Sequence, residues 1–169
     1  PATNLPDLAN AASRLRQAVE RQELVAIWGD FDADGQTSTA LLLETLRALG
    51  ARVTYREPTR QEGHGLHWKG LKKLIKDGAQ LILTCDTGVT AHEAVTRANQ
   101  FGAEVIITDH HVPDEELPAA HAVVNPHRLP PGHPLEALTG VGVAYQLARA
   151  LDGDAAAHAL DLVALGTVA

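Results

Sequence analysis

The chain has 169 residues, 45% hydrophobic and 21% charged, the makeup of one globular domain with a packed core. No run approaches the roughly 18 apolar residues of a membrane span and nothing reads as a signal segment, so the expectation is a cytoplasmic protein with no membrane partner; the lone Cys85 excludes an intrachain disulfide. The formal charge of −7 and the 4% aromatic content argue against a nucleic-acid binder with a stacking platform, although residues 52–77 set seven basic residues against three acidic ones.

Residues 7–22 read as a helix, with Asp7 as its N-cap and Leu8, Ala11, Ala12, Leu15 and Val19 at helical spacing. Leu24–Trp28 is a short apolar run, the first strand. Residues 36–49 read as a helix closed by Gly50. A second strand follows at 52–55, then a polar loop at 57–65 with Gly63 and Gly65. A basic helix at 69–77 ends at Gly78. The third strand is 81–84. Thr90-Ala91-His92-Glu93 then spells a capping box for a helix that ends at Gly102. The fourth strand is 104–107, followed by an irregular loop at 112–121. Ala122–Val124 is a short fifth strand, and 125–136, with four prolines, is a loop. Helices are expected at 138–151 and from Ala155 onward. This alternation predicts an α/β fold with a mainly parallel five-stranded sheet, order 2-1-3-4-5, and helices on both faces.

Three clusters directly follow apolar strand runs: Asp30-Phe31-Asp32-Ala33-Asp34-Gly35, Asp86-Thr87-Gly88 and Asp109-His110-His111. Open parallel sheets bind ligands at the carboxyl ends of their strands. Five carboxylates and two imidazoles delivered there read as a site for divalent metals acting on a phosphate. The first cluster fits the opening of an EF-hand loop, but its twelfth position is Leu41 and the preceding segment is strand-like, so that reading fails. On an extended backbone Asp30, Asp32 and Asp34 would face one side, with Gly35 turning the chain into the helix. Adjacent histidines do not easily point the same way on an extended chain, so His110 and His111 are expected to divide into a ligand and a substrate contact. Cys85 reads as a small buried side chain, since the acid beside it would raise its pKa.

Weaker signals are His64 and His67 around Gly65, Arg128 in Asn125-Pro126-His127-Arg128, and Gly140-Val141-Gly142 ahead of an apolar helix. His64 and Arg128 are candidate phosphate contacts. Gly140 and Gly142 would let backbone N–H groups approach an anion at a helix N-terminus, with close helix packing as the competing reading. His92, His121, His133 and His158 read as surface or helix residues.

Taken in order, Gly29 to Gly35, Thr84-Cys85-Asp86-Thr87-Gly88, Thr108-Asp109-His110-His111 and Leu138-Thr139-Gly140-Val141-Gly142-Val143-Ala144 resemble the DHH phosphoesterase superfamily. Within it the chain is most similar to the RecJ single-stranded-DNA exonucleases. Glu62-Gly63-His64-Gly65-Leu66, Val124-Asn125-Pro126 and residues 160–169 support that branch, and the match runs from about Val25 to the end. The resemblance implies a 5′→3′ exonuclease on single-stranded DNA in repair and recombination, using two Mn²⁺ or Mg²⁺ ions. Carried over, Asp30, Asp32, Asp34, Asp86, His110 and His111 are catalytic, and all but His111 are metal ligands. Asp86 would bridge the ions and His111 would contact the scissile phosphate. Single-stranded DNA is the implied partner, with helicases or single-strand-binding proteins alongside.

Two departures stand out. The family usually carries Tyr where His64 stands, and its final metal-binding Asp follows the stretch 166–169, where this chain stops. The expected organisation is an N-terminal helix at 1–23 and a DHH domain at 24–169, truncated before a second domain, so that the piece alone cleaves poorly. Two other functions compete: a phosphodiesterase for short oligonucleotides or cyclic dinucleotides, and a non-catalytic DHH scaffold.

Overall fold

The computed structural model describes residues 5–153, 156 and 158–168. Its elements in chain order are α1 (Leu8–Glu20), β1 (Leu24–Trp28), α2 (Ala33–Ala48), β2 (Arg52–Arg56), α3 (Trp68–Lys76), β3 (Ala79–Cys85), α4 (His92–Gln100), β4 (Glu104–Thr108), β5 (Ala122–Val124), α5 (Gly140–Leu151) and α6 (Leu160–Val168). The strands form one sheet in the order β2-β1-β3-β4-β5. Every pairing is parallel, with Trp28 beside Arg56 and Thr84, and Thr108 beside Cys85 and Val124. The carboxyl ends of all five strands therefore lie at one edge.

The unbroken apolar runs of the strands have a direct cause: both faces of the sheet are covered. Val25, Ile27, Leu81, Leu83, Cys85, Ile106 and Val124 pack against α1, α2 and α5. The alternate residues Ala26, Trp28, Ile82, Val105, Ile107 and Val123 pack against α3 and α4. Glycines with positive φ follow α2, α3 and α4: Gly50 at 79°, Gly78 at 103° and Gly102 at 83°. Among the described residues, no helix is long and apolar enough to cross a membrane.

Several local expectations are corrected. Asp7 does not cap α1; its backbone is left-handed, and its carboxylate instead accepts from Val123 N at 3.1 Å and Arg128 Nη1 at 2.7 Å. The helix after β1 starts three residues early, at Ala33, because the Asp32 carboxylate caps it through Gly35 N at 2.9 Å. Thr90 and Glu93 form no capping box: α4 starts at His92 without a side-chain cap, and Glu93 pairs with Arg97 at 2.8 Å, one helical turn away. The proline-rich loop contains a short 3₁₀ turn, Pro126–Arg128, capped by Asn125. α5 starts at Gly140 under a Thr139 cap, not at residue 138. The expected helix start at Ala155 lies outside the described residues.

Candidate metal centre

The site grows from the carboxyl edge of the sheet, where β1, β3 and β4 end in acids. After Trp28, Gly29 N still bonds Arg56 O at 3.0 Å, extending the ladder, and the chain then turns into α2. The turn buries Asp30, 3% exposed; its Oδ1 accepts from Phe31 N at 2.7 Å. The early helix start changes how the three acids are presented. Asp30 ends the strand segment, Asp32 is the N-cap and Asp34 sits in the first helical turn. Gly35 is thus a helix residue rather than a hinge. A Cβ on it would stand 2.7 Å from the Asp30 backbone, so glycine is what lets this turn close over Asp30.

Asp34 is fixed from across the fold. Its two oxygens accept from Gly140 N at 2.7 Å and Val141 N at 2.6 Å, the free donors at the start of α5. Gly142 N bonds the Thr139 hydroxyl at 3.4 Å. The N-terminus of α5 thus receives an anion, but the anion is the protein's own carboxylate and not an external phosphate. Gly140 serves close packing as well: a Cβ there would lie 2.5 Å from Asp86 Oδ1.

Asp86 follows β3 in a left-handed backbone, φ 61°, a conformation that Asp tolerates better than most residues. It is 1% exposed. Its Oδ1 lies 3.1 Å from His110 Nε2 but has no hydrogen-bond partner among the described residues. Burial pushes its pKa up to about 6, and Asp34 and Asp32 add to this against the pull of His110. Burial also raises Asp34. A buried carboxylate of raised pKa set among other acids, with one imidazole beside it, fits a divalent cation, whose charge would offset the clustered acids. His110 is raised by the Asp86 carboxylate beside it, against burial.

Asp109, counted among the strand-end acids but given no role of its own from the sequence, organises both histidines. Its Oδ1 accepts from His110 N at 2.7 Å, His111 N at 3.1 Å and His111 Nδ1 at 2.7 Å, while Oδ2 accepts from Val89 N at 2.9 Å. The bond to Asp109 holds the His111 pKa up at about 9, against its partial burial. The wrapped backbone also overturns the expectation that the two rings diverge: their centroids are 4.6 Å apart. The signal for Asp109 was the Asp-His-His triplet itself, which sequence reading credited to the histidines.

The donor atoms form two groups able to hold an ion: Asp86, His110 and His111; and Asp30, Asp32 and His64. Asp34 borders the first, with Oδ2 3.6 Å from His110 Nε2. His64 lies against Asp30, at 2.8 Å. Its ring lies against Phe31 at a tilt, centroids 4.1 Å apart, and the Arg60 guanidinium sits 5.3 Å from the centre of the same Phe31 ring. Phe31 and Arg60 carried no sequence signal for this role. Arg128 is outside both ligand groups: it pairs with Asp7 and donates to Val123 O, tying the start of α1 to β5. His92 pairs with Asp114 and His121 with Glu104, and neither belongs to these groups.

Known proteins resemble this chain in sequence and fold. The sequence profile of the DHH family, N-terminal domain, matches residues 24–167. The single-stranded-DNA-specific exonuclease RecJ of Bacillus subtilis (strain 168) is 44% identical over 163 residues, 96% of this chain and 21% of that protein. RecJ of Escherichia coli (strain K12) is 40% identical over 186 residues, 100% of this chain and 32% of that protein. A crystal structure of exonuclease RecJ bound to manganese superposes with a TM-score of 0.89 at 37% identity, covering 99% of this chain and 44% of that one. RecJ from Thermus thermophilus in complex with Mn²⁺ gives 0.85 at 34% identity, covering 100% of this chain and 25% of that one. The chain thus spans about a fifth to a third of the length of these curated relatives. A profile match over most of the chain, reaching from β1 to α6 through every acid at the sheet edge, makes this chain a member of the DHH family.

Proposed function

We propose that this chain forms the catalytic lobe of a metal-dependent 5′→3′ exonuclease that hydrolyses phosphodiester bonds of single-stranded DNA. The observation that carries the reading is the pair of adjacent ligand groups at one sheet edge, with the buried Asp86 carboxylate set among acids and 3.1 Å from His110 Nε2. The named relatives, RecJ exonucleases and RecJ structures holding manganese, support it. In this reading Asp30, Asp32, Asp34, Asp86 and His110 hold two divalent ions, Mn²⁺ or Mg²⁺. An oxygen-rich set with imidazole suits these ions and not the thiolate sites of zinc. Bound there, the ions supply charge to polarise a phosphodiester and to acidify a water.

The chain's own groups do the positioning. Asp109 holds His111 by Nδ1, leaving Nε2 to donate, and keeps the imidazole protonated at neutral pH, since its pKa is about 9. A fixed cation of this kind stabilises charge gathering on the phosphate oxygens during cleavage. Arg60, stacked over Phe31 beside the second ligand group, supplies a further cation for the strand. As part of the same reading, the DHH domain from residue 24 onward makes one lobe, with α1 packed on it. A second lobe belongs to a RecJ-length protein working in the cytoplasm on repair intermediates, beside helicases or single-strand-binding proteins.

The test uses a protein of the relatives' length carrying this chain, with a 5′-phosphorylated single strand. The expected result is Mn²⁺-dependent release of mononucleotides, slower on duplex and lost in Asp86→Asn by about 100-fold or more. Digestion that needs no divalent ion, or that survives Asp86→Asn, would refute the assignment.

A further inference from the structure

One histidine is built into the site by a loop pinned at several points between β2 and α3. Arg56 Nη2 pairs with Glu62 Oε1 at 2.5 Å, Glu62 Oε2 accepts from Thr59 N at 2.9 Å, and Trp28 Nε1 donates to Gly65 O at 3.1 Å. The last of these ties the loop to the end of β1, where the acids begin. Gly63 at φ 81° and Gly65 at φ 102° flank His64, and these left-handed positions fold the chain sharply enough to carry its side chain inward. The imidazole then meets Asp30 Oδ2 at 2.8 Å through Nδ1, with its ring against Phe31 at 4.1 Å. His64 remains 65% exposed while Asp30 is 3% exposed, so the ring caps the acid from the solvent side.

We infer that His64 is a direct metal ligand, seating one divalent ion together with Asp30 and Asp32. The inference rests on the metal-dependent reading above. One donor atom from each of the three residues lies within 4.8 Å of the others, a span that one ion with bonds of about 2.0–2.6 Å reaches. The tilted contact with Phe31 and the bond to Asp30 together restrict the ring, which preorganises a nitrogen ligand much as a hydrogen-bonded second partner does elsewhere. The two ligand groups then match in kind: His110 brings nitrogen to the Asp86 side and His64 brings nitrogen to the Asp30 side. A second imidazole has a definite chemical consequence. Nitrogen donors favour the later first-row ions over Mg²⁺, which prefers oxygen, so this centre discriminates toward Mn²⁺.

The experiment titrates the 169-residue chain with Mn²⁺ and, separately, Mg²⁺ by calorimetry, and reads nitrogen couplings of the bound Mn²⁺ by pulsed electron paramagnetic resonance. His64→Phe keeps a flat ring on Phe31 and removes both nitrogens. His64→Gln keeps a polar group and serves if the first variant misfolds. The expected result is Mn²⁺ coupled to two distinct imidazole nitrogens in the wild type and to one in either variant. Mn²⁺ affinity at the altered site should fall about 10-fold or more while Mg²⁺ affinity moves by less than about 3-fold. Wild-type and variant proteins with the same single imidazole coupling and the same Mn²⁺ to Mg²⁺ preference would overturn the ligand role alone and leave the metal centre standing. Failure of the wild type to bind Mn²⁺ would overturn the metal-dependent reading, and this inference with it.

Discussion

Asp86 is a buried carboxylate whose charge the fold disfavours. Its pKa is raised from 3.8 to about 6 by burial first and by neighbouring acids second. Between those two values the unfolded chain gives up its proton before the folded one, so without metal the stability falls as pH rises through about 4 to about 6. The loss is about 3 kcal/mol at neutral pH, since one pKa unit is worth about 1.4 kcal/mol. Asp86→Asn removes the charge and keeps a residue that tolerates the φ of 61°. In EDTA at mildly alkaline pH the variant should therefore be more stable than the wild type, by about 1–3 kcal/mol, and the gap should close near pH ~4. Thermal unfolding at the two pH values checks this; equal melting at both would mean that Asp86 carries no electrostatic strain. At this scale the sequence was informative wherever chemistry sits next to a strand run, as with Asp30, Asp86 and His110. It was uninformative wherever the partner is distant in the chain. Nothing local marks Arg128 for Asp7, 121 residues away, or His64 for Asp30, 34 residues away.

Among elements, the junction of α2 with α5 does most to shape the site. The start of α5 gives two backbone donors to Asp34, and Gly140 lets Asp86 sit against the same helix end. Gly140→Ala places a Cβ 2.5 Å from Asp86 Oδ1, a contact that side chains do not make. Either Asp86 or the first turn of α5 must move, and both hold the centre. The expected outcome is a large loss of Mn²⁺ affinity, about 10-fold or more, with destabilisation of about 1–3 kcal/mol. Gly142→Ala meets only the Leu138 side chain at 2.9 Å, so it should leave Mn²⁺ binding nearly intact. Calorimetric titration of the two variants side by side separates these outcomes, and equal losses would show that helix packing alone is at stake. Sequence periodicity located these helices but not their first turns. Asp32 moved the start of α2 to Ala33, and Thr139 moved the start of α5 to Gly140, because a capping side chain decides where the first free N–H is satisfied. The Thr90 and Glu93 pattern failed for the same reason in reverse, since Glu93 had Arg97 to bind.

For the whole molecule, five parallel strands in the order β2-β1-β3-β4-β5 set β1, β3 and β4 side by side, so three acidic loops spread between Asp30 and His111 meet at one edge. This much was legible, because alternating strand and helix patterns admit few right-handed parallel topologies. The two cores were legible too, since runs such as Leu81 to Cys85 carry apolar side chains for both faces. What the pattern could not reveal is the division of the edge into two ligand groups, which depends on side-chain directions after each strand. Divalent-metal binding at this edge underlies every role assigned to its acids. The most direct measurement is anomalous diffraction at the manganese absorption edge, from crystals of the chain soaked in Mn²⁺. Anomalous density is expected among Asp86, His110, Asp30 and Asp32, lost from the Asp86 side in Asp86→Asn crystals. Well-ordered crystals in saturating Mn²⁺ with no density at that edge, or density only elsewhere on the surface, would contradict it.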